Sequence, residues 1–137
     1  MGKTKSQASI EYLFVIAFVS VIVIAILGIA IIYSSGIKDR IKILQMNECA
    51  NKLISASESV FYNGKPAKAT VSCYLPESIK SIDIAENSLI IGIQLSSGVT
   101  RTAFSSKVPI QGNLSAFSGT RNIQISAEEN FSSLSMA

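Results

Sequence analysis

Three regimes of hydrophobic patterning follow one another along the chain. Between Phe14 and Ile32 lie 19 residues, of which only Ser20 and Gly28 are not apolar. A helix of that length rises roughly 28 Å, close to the hydrocarbon thickness of a bilayer. A buried core helix is the competing reading, but an uncharged run this long and uniform is what a membrane span requires. A cleavable secretory signal would have a shorter apolar region, about 7 to 15 residues, ending at a small-x-small site. Here the run passes instead into Tyr33-Ser34-Ser35-Gly36 and a helical pattern, so removal after the apolar run is not expected.

The second regime continues the helix, so that residues 13–62 read as one long element with Gly28 and Ser34-Ser35-Gly36 as candidate bend points. Asn63-Gly64 followed by Pro66 reads as its stop. At about 100° per residue, Ile37, Ile41 and Leu44 gather on one side. Met46, Cys49, Ala50, Leu53, Ala56 and Val60 gather on another, roughly 150° away. One stripe suffices to dock the helix on its own domain. The second leaves two alternatives, contact with a neighbouring subunit or a helix gripped on both sides by its own head.

From residue 67 onwards the period changes to two. Ala69–Tyr74, Ser81–Ile84, Leu89–Leu95, Val99–Phe104 and Asn122–Ser126 give about five short strands. Ser96-Ser97-Gly98 marks a turn, and Pro109 and Gly112 interrupt the chain. The fold class that follows is α+β: a long N-terminal helix packed on a small antiparallel sheet or sandwich. A head of roughly 70 residues buries little core of its own. The stripe ending at Val60 can cover one face of its sheet. Cys49 and Cys73 can close a loop of about 25 residues as a disulfide, or remain as two small buried thiols.

Composition narrows the chemistry. The chain has no histidine, which removes the imidazole base and the His ligand for zinc. The net charge is +3 without a basic patch interleaved with aromatics, so nucleic acid is not an expected partner. Carboxylates are scattered, no nucleophile motif is present, and no cofactor is expected. Orientation is contested by the flanks. Lys38, Arg40 and Lys42 outnumber Lys3 and Lys5 and favour a cytoplasmic C-terminal side. Two cysteines, and the sequons Asn113-Leu114-Ser115 and Asn130-Phe131-Ser132, favour an external one.

Immediately before the apolar run stands Gln7-Ala8-Ser9-Ile10-Glu11-Tyr12. It resembles the Q-x-S-x-E-Y motif of archaeal class III signal peptides carried by type IV pilin-like proteins, with Gln7, Ser9, Glu11 and Tyr12 in the specified positions. The short Lys-bearing leader and the long apolar helix on either side are similar to that family as well. The resemblance covers about the first 35 residues. It implies cleavage by a membrane prepilin peptidase between Ser6 and Gln7 on the cytoplasmic side, which places the C-terminal domain outside. Ser6 stands where glycine is the more usual residue. The resemblance also implies that Glu11 pairs with the N-terminal amine of an adjacent subunit, as a carboxylate at the edge of hydrocarbon needs a partner. Taken alone, Glu11 reads more simply as a charge favouring the helix N-terminus.

The expected layout is therefore a leader at 1–6, a transmembrane and assembly helix at 7–35, an amphipathic extension at 36–62 and a β head at 63–137. The expected product is a single-pass membrane protein with an external C-terminus, becoming a subunit, major or minor, of a cell-surface filament. Its helices bundle in the filament core, and its Asn113 and Asn130 are candidate glycan acceptors. Adhesion is the default role of such a filament. The contrasting expectation, from another functional class, is a membrane-anchored binding module that stays monomeric; the Ile37, Ile41 and Leu44 stripe discriminates the two.

Overall fold

The structure is a computed structural model that describes the backbone of residues 3–137 and the side chains of residues 7–137. It divides into two compact units, 1–38 and 39–137, each considered by itself.

A single helix, α1 (Lys3–Asn63), contributes to both. It starts ten residues before the sequence pattern predicts, because Gln7–Tyr12 and the residues before it contain neither glycine nor proline past Gly2. Helical pairing also runs uninterrupted through Gly28 and Ser34-Ser35-Gly36, the candidate bend points. Two serines within it turn their hydroxyls back on the helix, Ser20 Oγ donating to the Ile16 carbonyl at 2.8 Å and Ser35 Oγ to Ile32 at 2.9 Å. A serine that satisfies itself in this way is compatible with an apolar surrounding. In the unit 1–38, the most apolar window has none of its residues buried, and the helix is long and apolar enough to cross a membrane.

In the unit 39–137, α1 ends as the sequence predicts. Gly64 adopts φ +70° and donates its N–H to the Phe61 carbonyl at 3.1 Å, a left-handed terminus that favours glycine. Seven strands follow, two more than the alternation shows: β1 (Lys68–Leu75), β2 (Ile79–Ala85), β3 (Ser88–Leu95), β4 (Gly98–Ser105), β5 (Ile110–Gly112), β6 (Gly119–Ala127) and β7 (Ser132–Met136). They form a four-stranded sheet in the order β1-β6-β7-β5 and a three-stranded meander β2-β3-β4. All pairings are antiparallel except β5 with β7, which is parallel, so the head is mixed rather than wholly antiparallel.

The core is one cluster drawn from the helix and both sheets. Met46, Cys49, Ala50, Leu53 and Val60 of α1 meet Cys73 and Leu75 of β1, Leu89, Ile91 and Ile93 of β3, Ile123 and Ile125 of β6, and Leu134 of β7. The second stripe of the amphipathic helix thus covers its own sheets. Four links spaced along α1 fix it there. Asp39 accepts from the β3–β4 turn, and Cys49 is disulfide-bonded to Cys73 with Cα atoms 5.3 Å apart. Further on, the Ser57 carbonyl accepts from Ser132 Oγ at 2.8 Å, and Glu58 Oε1 accepts from the Lys107 N–H at 2.9 Å. The disulfide resolves the thiol-or-bond alternative in favour of the bond.

Candidate assembly surface

The N-terminal motif lies on helix throughout. Gln7, Ser9, Glu11 and Tyr12 are all exposed, and the spacing of Gln7 and Glu11 by four puts them on one face. Among the described residues no cation pairs with Glu11. Ser6 lies outside the residues whose side chains are described, and Met1 and Gly2 lie outside the described residues altogether. The Ser6–Gln7 bond falls at the first turn of α1, where backbone N–H groups have no intrahelical acceptor.

The first stripe of the amphipathic region stays open. Ile37 is 57% exposed, Ile41 49% and Leu44 65%, whereas Met46 and Leu53 on the other side are 1% and 2%. The head therefore does not cover both sides of its helix. Apolar side chains exposed at helical spacing are suited to another apolar surface.

Charge beside the strip is partly engaged. Asp39 takes two hydrogen bonds from Ser96, one from its N–H at 3.1 Å and one from its hydroxyl. These bonds, with a smaller contribution from Lys42 at 3.8 Å, hold the Asp39 carboxyl below its ordinary range against the opposing effect of desolvation. Sequence reasoning missed this contact. Lys38, Arg40 and Lys42 read only as flanking charges that bear on orientation, and nothing local marks Ser96 as the partner of Asp39, 57 residues away. Ser57, Ser132, Glu58 and Lys107 were missed for the same reason.

A second surface feature is a shallow cleft of about 180 Å³ lined by Gln45, Glu48, Cys49, Lys52, Cys73 and Tyr74. Ligand pockets generally exceed about 300 Å³. Its two charged residues are already joined, Lys52 Nζ lying 2.7 Å from Glu48 Oε1, which lowers the Glu48 carboxyl. Such an exposed pair contributes little to stability.

The two sequons sit in different surroundings. Asn113 and Ser115 are exposed on either side of Leu114, which is buried; Ser115 Oγ donates to the Met136 sulfur at 3.6 Å. Asn130 is exposed as well, but its Ser132 is fully buried at the start of β7, with its hydroxyl donated to the helix.

No protein-family model, curated protein or solved structure matches this chain.

Proposed function

We propose that this chain is a structural subunit of an archaeal type IV pilus-like surface filament, major or minor, matured by a prepilin peptidase that cuts between Ser6 and Gln7. The reading is carried by one observation: the Q-x-S-x-E-Y residues sit directly before a helix long and apolar enough to cross a membrane, with none of its most apolar window buried. In a membrane, lipid covers that surface. In a filament, equivalent helices of neighbouring subunits replace lipid with contacts of similar apolarity, so the exchange is nearly balanced and small biases decide it.

Cleavage supplies one such bias. It removes Lys3 and Lys5 and creates an amine at Gln7, to which Glu11 of an adjacent subunit can pair in a low-dielectric setting. The exposed Ile37, Ile41 and Leu44 strip supplies another, extending apolar contact beyond the bilayer segment. The head then lies outside the cell, which agrees with the disulfide and with the accessible sequon at Asn113.

Intact-mass measurement of the chain from membranes and from sheared cell-surface material tests the reading. A species beginning at Gln7 in the sheared fraction is the expected result. A full-length chain confined to membranes rejects it and leaves the monomeric anchored module.

A further inference from the structure

Within the unit 39–137, the helix and the β2-β3-β4 meander together mark two opposite ends. Asp39 meets the β3–β4 turn at Ser96, and Glu58 meets the Lys107 N–H just past the end of β4. From Asp39 to Glu58 the helix rises roughly 28 Å, and an eight-residue strand of the meander runs roughly 26 Å. β2 starts at the Asp39 end, where the Ser78 carbonyl accepts from the Gln94 N–H at 2.7 Å. It finishes at the Glu58 end, where the Asn87 carbonyl accepts from the Ser106 N–H at 2.7 Å.

Charge is divided unequally between these ends. At the Asp39 end stand Arg40 and Lys42 of α1, Lys80 near the start of β2 and Arg101 in the first half of β4, against Asp39 and Glu77. At the Glu58 end five carboxylates, Glu58, Asp83, Glu86, Glu128 and Glu129, outnumber Lys65, Lys68 and Lys107. Asp39 is already engaged, accepting twice from Ser96 and lying 3.8 Å from Lys42. Arg40, Lys80 and Arg101 are exposed and, among the described residues, have no carboxylate within ion-pair distance. The turn Ser96-Ser97-Gly98 at the same end is uncharged, and Val99 beside it is 59% exposed. Unpaired cations around a polar tip with a small apolar residue match an anionic headgroup surface.

We infer that this basic end of the head docks on the anionic phospholipid headgroups of the bilayer that the apolar run of the same chain enters. Chain length argues for that occupant. Seven residues lead from Ile32, the last of the apolar run, to Asp39, and even fully extended they reach no more than roughly 25 Å. The encounter with lipid is therefore intramolecular, and a contact too weak to hold a free protein holds a tethered one. Near an anionic surface each cation strengthens such docking about fivefold, over a range of about 10 Å at moderate salt. The acidic end is repelled by the same surface, which turns the β3–β4 turn toward lipid. The inference goes beyond the filament reading. It needs the membrane anchor, which the filament subunit and the monomeric module share, and neither cleavage nor polymerisation.

The full chain reconstituted in vesicles tests it, with one fluorophore attached through Val99→Cys at the basic end or Glu129→Cys at the acidic end. The native cysteines are bonded to each other and stay unlabelled. A quencher carried on lipid headgroups should quench the label at position 99 about twofold more in phosphatidylglycerol vesicles than in phosphatidylcholine ones, and the label at 129 alike in both. A Lys80→Gln, Arg101→Gln double variant should weaken docking by about tenfold or more and lose that gain. Lys68→Gln with Lys107→Gln removes the same charge from the other end and should keep it. Salt at about 1 M, where the screening length falls to about 3 Å, should abolish it. A gain that survives the first double variant or high salt, or falls equally in the second, overturns the basic end as the docking surface. Equal quenching at position 99 in the two lipids overturns the attraction to anionic headgroups. A chain that alkaline carbonate washes from the vesicles overturns the inference together with the anchor. Docking by a chain that stays full-length in cell membranes upholds the inference and rejects the filament reading alone.

Discussion

Asp39 holds the turn between β3 and β4 with one carboxylate oxygen, and its two bonds from Ser96 favour the ionised form. Its folded pKa lies below the value of 3.8 for a free side chain, first because of the Ser96 hydroxyl and then the Ser96 N–H. A group depressed in this way stabilises the fold in full above its unfolded pKa, and that contribution disappears as pH falls through the lower folded one. The head of an Asp39→Asn variant should therefore show a shallower loss of stability on acidification below pH 3.8 than the parent, measured by urea unfolding across an acid series. Gly112 makes a different demand. Its φ of +153° and the Leu134 carbonyl against its α-carbon leave no room for a β-carbon where β5 pairs with β7. Gly112→Ala should cost roughly 1–3 kcal/mol in the same unfolding measurement.

At the scale of elements, the amphipathic part of α1 has two apolar sides with opposite fates. The side with Met46, Cys49, Leu53 and Val60 is sealed against both sheets. Replacing Cys49 and Cys73 together by alanine opens a loop closed over a sequence separation of 24 residues. It should lower the stability of the head by on the order of 3 kcal/mol, read as a lower urea midpoint. The side with Ile37, Ile41 and Leu44 is exposed, so Ile41→Asp should leave the unfolding free energy of the head within about 0.5 kcal/mol of the parent. If the strip joins subunits, the same variant should yield no sheared filaments; normal filaments from it would remove the strip from the assembly surface. Strand count was partly legible from the chain. β1, β2, β3, β4 and β6 alternate, but β5 is three residues after a proline and β7 has one buried aliphatic residue, Leu134, among serines. Neither carries a period-two signal long enough to read, and each is a strand because a neighbour supplies its hydrogen-bond partners.

For the whole molecule, maturation and folding meet at the sequons. An acceptor enzyme must reach both the asparagine and the hydroxyl two residues on. Folding leaves Asn113 and Ser115 outside but withdraws Ser132 into the core and ties it to Ser57. If the chain is glycosylated after the head has folded, glycopeptide mass spectrometry should find Asn113 occupied and Asn130 empty. Comparable occupancy at both sites would place modification ahead of folding. The same logic separates the two ends of the molecule: the Gln7–Tyr12 pattern and the apolar run are features of the local chain, whereas the sequon asymmetry exists only once the head is folded.

The amino-acid sequence by itself determined the features that depend on neighbours along the chain. These are the apolar span, the helix stop at Asn63-Gly64, both helix stripes, the Ser96-Ser97-Gly98 turn, the motif before the span and the α+β class. Each is written in period, composition or a fixed local conformation. The tertiary structure alone decided which stripe faces the core and that Asp39 meets Ser96. It likewise decided that Ser132 is closed off, and that β5 runs parallel to β7. Those outcomes depend on pairings between residues far apart in sequence, where the energy lies in contacts that no local pattern encodes.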